Sequence, residues 1–165
     1  MSTHTLISIK RPARNKRVVF IDFDWTIVRP KESRIHAKDK NDWRWLYTNV
    51  KDVLHHWYHR KKYAIIVVTN QTKAFKLDMI DEVMERIDVP IRVVVGHTIR
   101  KPDTSLLDFV QDDWREYLDL ESCFMVGDAA GRPGDWSDMD AVFASNAGIG
   151  FKTPEEFYGY NEART

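Results

Sequence analysis

Two carboxylates, one residue apart, follow a short apolar run near the start of the chain. The segment FIDFDWT places Asp22 and Asp24 directly after the apolar residues 18–21. In extended backbone, successive side chains alternate between two faces, so these two acids point the same way. One carboxylate can attack phosphorus to form an aspartyl-phosphate, while its neighbour protonates the leaving oxygen and later activates water. The pair indicates phosphoryl transfer, although an Asp-x-Asp pair alone is short and common.

Further polar residues stand at or beyond the ends of other predicted strands. Thr69 and Asn70 follow an aliphatic run, Lys101 lies beyond the next run, and Asp128 follows a third. Asp128 adds an oxygen donor suited to Mg²⁺, a hard cation that would offset the repulsion between the acids and a phosphate. Thr69 can donate to a phosphoryl oxygen, and Lys101 can balance charge that develops in the transition state. This combination predicts a phosphatase site more specifically than the acid pair does.

Aliphatic and amphipathic segments alternate along the chain. The predicted strands are 18–22, 64–68, 91–95, 123–126 and 141–144. The predicted helices are 49 to about 62, 77–87, and a segment opened by Leu106, Leu107, Phe109 and Val110. Residues 29–41 are polar without a period and are predicted as a loop. The alternation is typical of an α/β fold with a parallel sheet covered by helices on both faces, whose ligand site lies outside the carboxyl ends of the strands.

Length and composition indicate one globular domain. The 165 residues are 43% hydrophobic and 30% charged, and we expect a basic, mobile or peripheral tail over 1–17 followed by a single domain over 18–165. No apolar run reaches the length of a membrane span and no signal peptide is visible, so we expect a cytoplasmic or nuclear setting without membrane contact. The single cysteine, Cys123, cannot form an internal disulfide and is predicted to be a core residue.

Charge is balanced overall but unevenly distributed. The first 62 residues carry 15 lysines and arginines against 6 acids, and the remaining residues carry 10 against 19. A basic N-terminal part permits a polyanionic substrate, although a solvated basic surface without a partner would show the same composition.

The motifs around these residues resemble those of a known family. DFDWT, VVTNQ, RKP and VGDAAGRPGDW occur in the order typical of the haloacid dehalogenase superfamily of aspartate-nucleophile phosphatases. More narrowly, NDWRWLY, IRKPDTSLLDFV and FASNAGIGFKTPEEFY resemble the 3'-phosphatase domain of polynucleotide kinase/phosphatase, over about residues 16–158. The resemblance implies a three-layer, Rossmann-like fold and Mg²⁺-dependent removal of 3'-phosphate from DNA ends during end processing or repair. RNA ends are left open, and a monomer is favoured.

The resemblance also implies roles for individual residues. Asp22 would be the nucleophile and a metal ligand, Asp24 the general acid/base and a metal ligand through its backbone carbonyl, and Asp128 would complete the metal site. Thr69, Lys101 and Asn70 would hold the phosphoryl group. Thr26, Arg100 and Arg132 would lie near the substrate. Asp140 would position residues of the site without contacting the substrate itself.

Two departures from the family pattern stand out. Trp25 follows the second acid where glycine is usual, and its indole could stack on the terminal base, narrow the entrance, or pack on the loop 29–41. The phosphate-binding motif G-x-x-x-x-G-K-[ST] does not occur in the sequence, so we expect no ATP binding and no 5'-kinase activity.

Two other functions remain open from the sequence. A small-molecule phosphatase of the same superfamily would share the T-N-Q motif but commonly carries a cysteine-rich zinc loop, which one cysteine cannot build. A catalytically silent module that binds DNA ends would not need Asp22, Asp24, Lys101 and Asp128 together.

Overall fold

The computed structural model describes residues 4–10, 15–97, 100–104 and 117–160. These residues contain eight strands and four helices. The strands are β1 (His4–Lys10), β2 (Val18–Ile21), β3 (Val28–Arg29), β4 (Arg44–Trp45), β5 (Ala64–Asn70), β6 (Ile91–Gly96), β7 (Phe124–Val126) and β8 (Gly150–Lys152). The helices are α1 (Val50–His55), which continues as a π-helical turn (His56–Arg60), α2 (Phe75–Ile87), α3 (Met139–Ala147) and α4 (Pro154–Tyr158).

Six of the strands form one sheet in the order β1-β6-β5-β2-β7-β8. Strand β2 lies at the centre, where Phe20 is opposite Ile66 of β5 on one side and Met125 of β7 on the other. The β2–β5, β2–β7, β5–β6 and β7–β8 pairs are parallel, and β1 runs antiparallel to β6. The carboxyl ends of five parallel strands therefore meet at one edge of the sheet.

The central strands are buried on both faces, which explains their nearly continuous aliphatic sequences. Val19 and Ile21 of β2 belong to a core on one face, whereas Val18 and Phe20 belong to a core on the other. Helix α2 contributes Met79, Ile80, Val83 and Ile87 to the first core, and α3 contributes Phe143 and Ala144 to the second. The predicted α/β, three-layer, Rossmann-like fold is confirmed.

The structure corrects the prediction of a fifth strand over 141–144. These residues lie inside α3, and the strand that extends the sheet is β8, three residues after the helix. Gly148 ends the helix in the left-handed conformation, with φ of +72°, which glycine adopts without steric cost. A four-residue apolar run has no measurable period, so the sequence AVFA could not be assigned to a helix or a strand by pattern.

Two further predictions concern the N-terminal segment and the helix expected from Leu106 onwards. Residues 4–10, which were expected to belong to a mobile or peripheral tail, form the antiparallel edge strand β1. The helix expected from Leu106 onwards lies outside the described residues. Among the helices that the structure describes, none is both long enough and apolar enough to cross a bilayer.

Candidate active site

A cavity of about 670 Å³ opens at the carboxyl edge of the sheet. Residues with reactive side chains line it at or just beyond the carboxyl ends of β2, β5 and β7. The predicted site residues that line it are Asp22, Asp24, Trp25, Thr69, Asn70, Arg100, Lys101 and Asp128. The structure thus brings most of the predicted site together around one cavity.

Asp22 lies at the centre of the site, directly after β2. Its backbone N–H donates to the Val126 carbonyl at 2.9 Å, which fixes its position between the strands. Its Oδ1 accepts a hydrogen bond from the Phe23 N–H at 2.7 Å and lies 3.1 Å from Lys101 Nζ. The hydrogen bonds that described residues make to this carboxylate go to Oδ1, which leaves Oδ2 facing away from these donors.

Burial raises the pKa of Asp22 well above its ordinary value, and the ammonium of Lys101 opposes this shift. Three neighbouring carboxylates raise the pKa of Asp22 further; they belong to Asp140, Asp128 and Asp24. A divalent cation among these acids would favour the charged form of Asp22.

Lys101 is buried between two carboxylates. Its side chain is 1% exposed, and Nζ lies 2.7 Å from Asp140 Oδ1 as well as 3.1 Å from Asp22. Burial alone would lower the pKa of Lys101, but the two adjacent carboxylates outweigh it and raise the pKa. The residue is therefore a fixed positive charge beside Asp22.

Asp140, in the first turn of α3, holds this part of the site together. Its Oδ1 pairs with Lys101, and its Oδ2 accepts a hydrogen bond from the Ala129 N–H at 3.1 Å. A Cβ atom on Gly127 would lie 2.2 Å from Asp140 Oδ2, so only glycine allows the backbone to approach this closely.

The acids at this edge can hold a metal ion. Asp22, Asp128 and Asp140 each offer an oxygen, and these three atoms all lie within 4.8 Å of one another. An all-oxygen donor set suits a hard divalent cation. Both Asp140 oxygens already accept hydrogen bonds from protein groups, which favours Asp22 and Asp128 as direct ligands.

Asp24 is held by two residues that the sequence analysis did not single out. Gln71 Nε2 donates to Asp24 Oδ2 at 2.8 Å and to Thr69 Oγ1 at 2.9 Å. Lys76, from the first turn of α2, forms an ion pair with Asp24 Oδ1. Gln71 belongs to the T-N-Q motif, so its proximity to the site was foreseeable, whereas no signal in the sequence pointed to Lys76.

The structure gives Asn70 a positioning role. Its Oδ1 accepts a hydrogen bond from the Lys101 N–H at 2.9 Å, and its Nδ2 donates to the Lys101 carbonyl at 3.3 Å. These two contacts attach the segment that carries Lys101 to the end of β5.

Two residues expected near the substrate face other protein groups instead. Arg132 pairs with Asp135 at 2.9 Å and with Glu155 at 2.8 Å, and it is not among the cavity residues. Thr26 is fully buried, and its Oγ1 lies 3.5 Å from Asp128 Oδ1. These contacts connect Arg132 to α4 and Thr26 to Asp128, and a contact of either residue with a substrate stays a prediction.

Trp25 packs on the loop 29–41, which is one of the alternatives drawn from the sequence. Its φ of +59° is in the left-handed region, which explains why glycine suits this position. Its indole N–H donates to the Ile35 carbonyl at 3.0 Å, and the Arg29 guanidinium lies 5.2 Å from the ring centroid. The side chain therefore packs on the rim loop (residues 30–43, between β3 and β4) while also lining the cavity.

Comparison with known proteins agrees with this geometry. A family model described as "Polynucleotide kinase 3 phosphatase" matches residues 17–158. The bifunctional polynucleotide phosphatase/kinase of Schizosaccharomyces pombe is 32% identical over 157 residues, which is 88% of this chain and 38% of the yeast protein. The polynucleotide 3'-phosphatase ZDP of Arabidopsis thaliana is 25% identical over 171 residues, covering 87% of this chain and 24% of the plant protein.

A viral relative is closer to this chain in length. A 20.8 kDa protein of Autographa californica nuclear polyhedrosis virus is 32% identical over 168 residues, which is 88% of this chain and 87% of the viral protein. The chain thus spans well under half of the yeast and plant relatives and most of the viral one.

Proposed function

Because the chain belongs to the polynucleotide kinase 3 phosphatase family, we propose that it removes the 3'-phosphate from DNA ends. The observation that carries the proposal is the group of Asp22, Lys101, Asp140 and Asp128, of which all but Asp22 are buried, beside a cavity that Asp24 and Thr69 also line. It supplies a nucleophile, a fixed positive charge and a metal site in one place.

The first half of the reaction transfers the phosphoryl group to the protein. Asp22 Oδ2 attacks phosphorus, and the bond between phosphorus and the 3'-oxygen breaks. Asp24, in its protonated form, gives its proton to the departing oxygen, so the DNA leaves with a 3'-hydroxyl. Lys101 balances the negative charge that develops on the phosphoryl oxygens, and the hydroxyl of Thr69, which accepts from Gln71, donates to one of them.

The second half of the reaction regenerates the protein. Asp24, now a carboxylate, takes a proton from a water molecule while the water oxygen attacks phosphorus. The bond between phosphorus and Asp22 breaks, inorganic phosphate leaves, and both acids return to their starting forms.

Mg²⁺ is the cofactor that this donor set suits. We assign the Asp22 and Asp128 carboxylates and the Asp24 backbone carbonyl as its ligands, with Asp140 and Thr26 positioning the carboxylates. When bound, the ion offsets repulsion between the acids and the substrate phosphate.

The test is phosphate release from a 3'-phosphorylated DNA oligonucleotide, with Mg²⁺ or with EDTA. A 5'-phosphorylated oligonucleotide, a 3'-phosphorylated RNA and a small aryl phosphate serve as comparison substrates. We expect Mg²⁺-dependent release that strongly favours the 3'-end, and a loss of about 1000-fold or more in kcat for Asp22→Asn, which removes the nucleophile.

Asp52→Asn is the matched control, because Asp52 is an exposed acid on α1. It should behave as the unaltered protein does. Release from the aryl phosphate alone would instead support a small-molecule phosphatase, and tight DNA binding without any release would support a silent end-binding module. The intracellular setting and the monomeric state remain predictions.

A further inference from the structure

The mouth of the cavity carries exposed apolar surface. Trp136 is 67% exposed and Ile35 is 62% exposed, and both line the cavity. Of the large hydrophobic side chains that the structure describes, only two others are exposed, Tyr117 and Leu120, and neither lines the cavity. Exposed aromatic surface beside a polar pocket is a feature of ligand sites.

Two segments of the chain meet at this mouth. Ile35 and His36 belong to the rim loop, whereas Trp136 belongs to the β7–α3 loop (residues 127–138). The imidazole of His36 lies 5.7 Å from the Trp136 ring, centroid to centroid, at an interplanar angle of 50°. The contact leaves most of the indole exposed.

Hydrogen bonds from backbone N–H groups to an aspartate side chain fix each of the two segments. On the rim loop, the buried Asp42 accepts from the Lys31 and Lys38 N–H groups at 3.0 and 2.9 Å. On the β7–α3 loop, Asp135 accepts from the Ala130 and Arg132 N–H groups at 3.3 and 3.1 Å. Trp136 directly follows Asp135, whose carboxylate is held by these hydrogen bonds. The backbone at Trp136 is therefore fixed before binding, and little conformational entropy is lost when a flat ligand packs on the indole.

We propose that Trp136, together with His36 and Ile35, forms a subsite for the nucleobase of the 3'-terminal nucleotide. The inference rests on the proposed function. With the phosphate at Asp22 and Lys101 in the depth of the cavity, the sugar and then the base of the same nucleotide extend towards the mouth. A base presents a flat face whatever its identity, so the subsite accepts all four.

Trp25 is less suited to this role than Trp136. Its indole N–H is engaged by the rim loop, and the Arg29 guanidinium lies over its ring. Trp25 therefore supports the rim loop, while Trp136 presents its ring to the opening.

The test compares two 3'-phosphorylated oligonucleotides that differ only in the terminal base. One ends in a normal nucleotide, and the other ends in a stable abasic residue with the same 3'-phosphate. Because base stacking on an aromatic ring favours binding by about 5- to 150-fold, we expect kcat/KM to be higher by that factor for the normal end. Trp136→Ala should lower kcat/KM on the normal end and leave the abasic end unchanged, which removes the preference.

Two variants control the measurement. Trp136→Phe keeps an aromatic face and should retain most of the preference for the normal end. Tyr117→Ala removes another exposed aromatic side chain, outside the cavity, and should leave both rates unchanged.

The outcomes separate this inference from the proposed function. Equal rates on the two ends for the unaltered protein, or an equal loss on both ends in Trp136→Ala, would overturn the base subsite and leave the phosphatase intact. Hydrolysis of an aryl phosphate without release from either oligonucleotide would overturn both.

Discussion

Lys76 and Gln71 each hold one oxygen of the Asp24 carboxylate. The side chain of Lys76 is 9% exposed, it pairs with Asp24 Oδ1, and its Nζ lies 5.5 Å from the Phe23 ring centroid. An acid that must deliver a proton to a leaving oxygen has to be held within hydrogen-bond reach of that oxygen. The carboxylate depends on Lys76 and Gln71 for that placement.

Lys76→Met should lower kcat by about tenfold or more, part of the 10²- to 10⁴-fold that a placed general acid contributes. KM should change less than kcat, because the substituted residue acts on Asp24. Steady-state kinetics on a 3'-phosphorylated oligonucleotide provide the measurement.

Lys76→Arg, which keeps the charge, should recover part of the rate, and Lys51→Met, on the exposed surface of α1, should have no effect. A raised KM with unchanged kcat would show that Lys76 binds DNA and does not position Asp24.

Most of the reactive residues could be predicted from the sequence because each stands at or beyond the end of an aliphatic run. Asp22, Thr69 and Asp128 were identified in this way. Lys76 and the pairing of Arg132 with Glu155 could not be, since they depend on how separate elements pack together.

At the scale of elements, the rim loop has no helix or strand of its own and depends on Asp42. Asp42 is buried, and its two oxygens accept from backbone N–H groups seven residues apart. The hydrogen bond from Lys38 is the main cause of the lowered pKa of Asp42, and desolvation opposes it.

Asp42→Asn should lower the free energy of unfolding by about 2 kcal/mol, because an amide cannot accept at both positions. For a chain of this size, the melting temperature should fall by roughly 4–8 °C. Folding lowers the pKa of Asp42. The carboxylate therefore contributes fully to the free energy of unfolding above the unfolded-state pKa of about 3.9, and this contribution is lost as pH falls through the lower, folded-state pKa.

Unfolding curves at pH 7 and below pH 4 check both statements, since the difference from the unaltered protein should shrink at the lower pH. Asp39→Asn, an exposed acid in the same loop, is the control and should change stability little. A difference that persists at low pH would exclude the carboxylate as its source.

Elements with long sequence patterns were predicted more accurately than elements with short ones. β5 and α2 were predicted to within two residues at either end, because seven and thirteen residues suffice to show a burial pattern. The run at 141–144 was too short for this. The π-helical turn after α1 was not predicted, since the same apolar face fits an α-helix throughout.

At the scale of the whole molecule, charge along the chain differs from charge around the cavity. The first 62 residues carry the excess of lysines and arginines. Yet the basic residues that line the cavity are Lys73, Lys76, Arg100 and Lys101, which all come from the acidic remainder. Composition only permitted a polyanionic substrate, and folding determined which lysines and arginines line the cavity.

Strand β1 has a consequence that concerns solubility. All the site residues follow Asn15, so a chain that begins there would keep the site and the contacts of residues 15–17 while exposing the backbone of β6, which β1 covers through antiparallel pairing. An uncovered edge with the sequence IRVVVG is a template for strands of other molecules. We expect the shortened chain to aggregate with increasing concentration while the full chain does not, as measured by light scattering. Residues 4–10 would then be needed less for catalysis than for keeping separate molecules apart. Equal scattering by both chains would contradict this protective role.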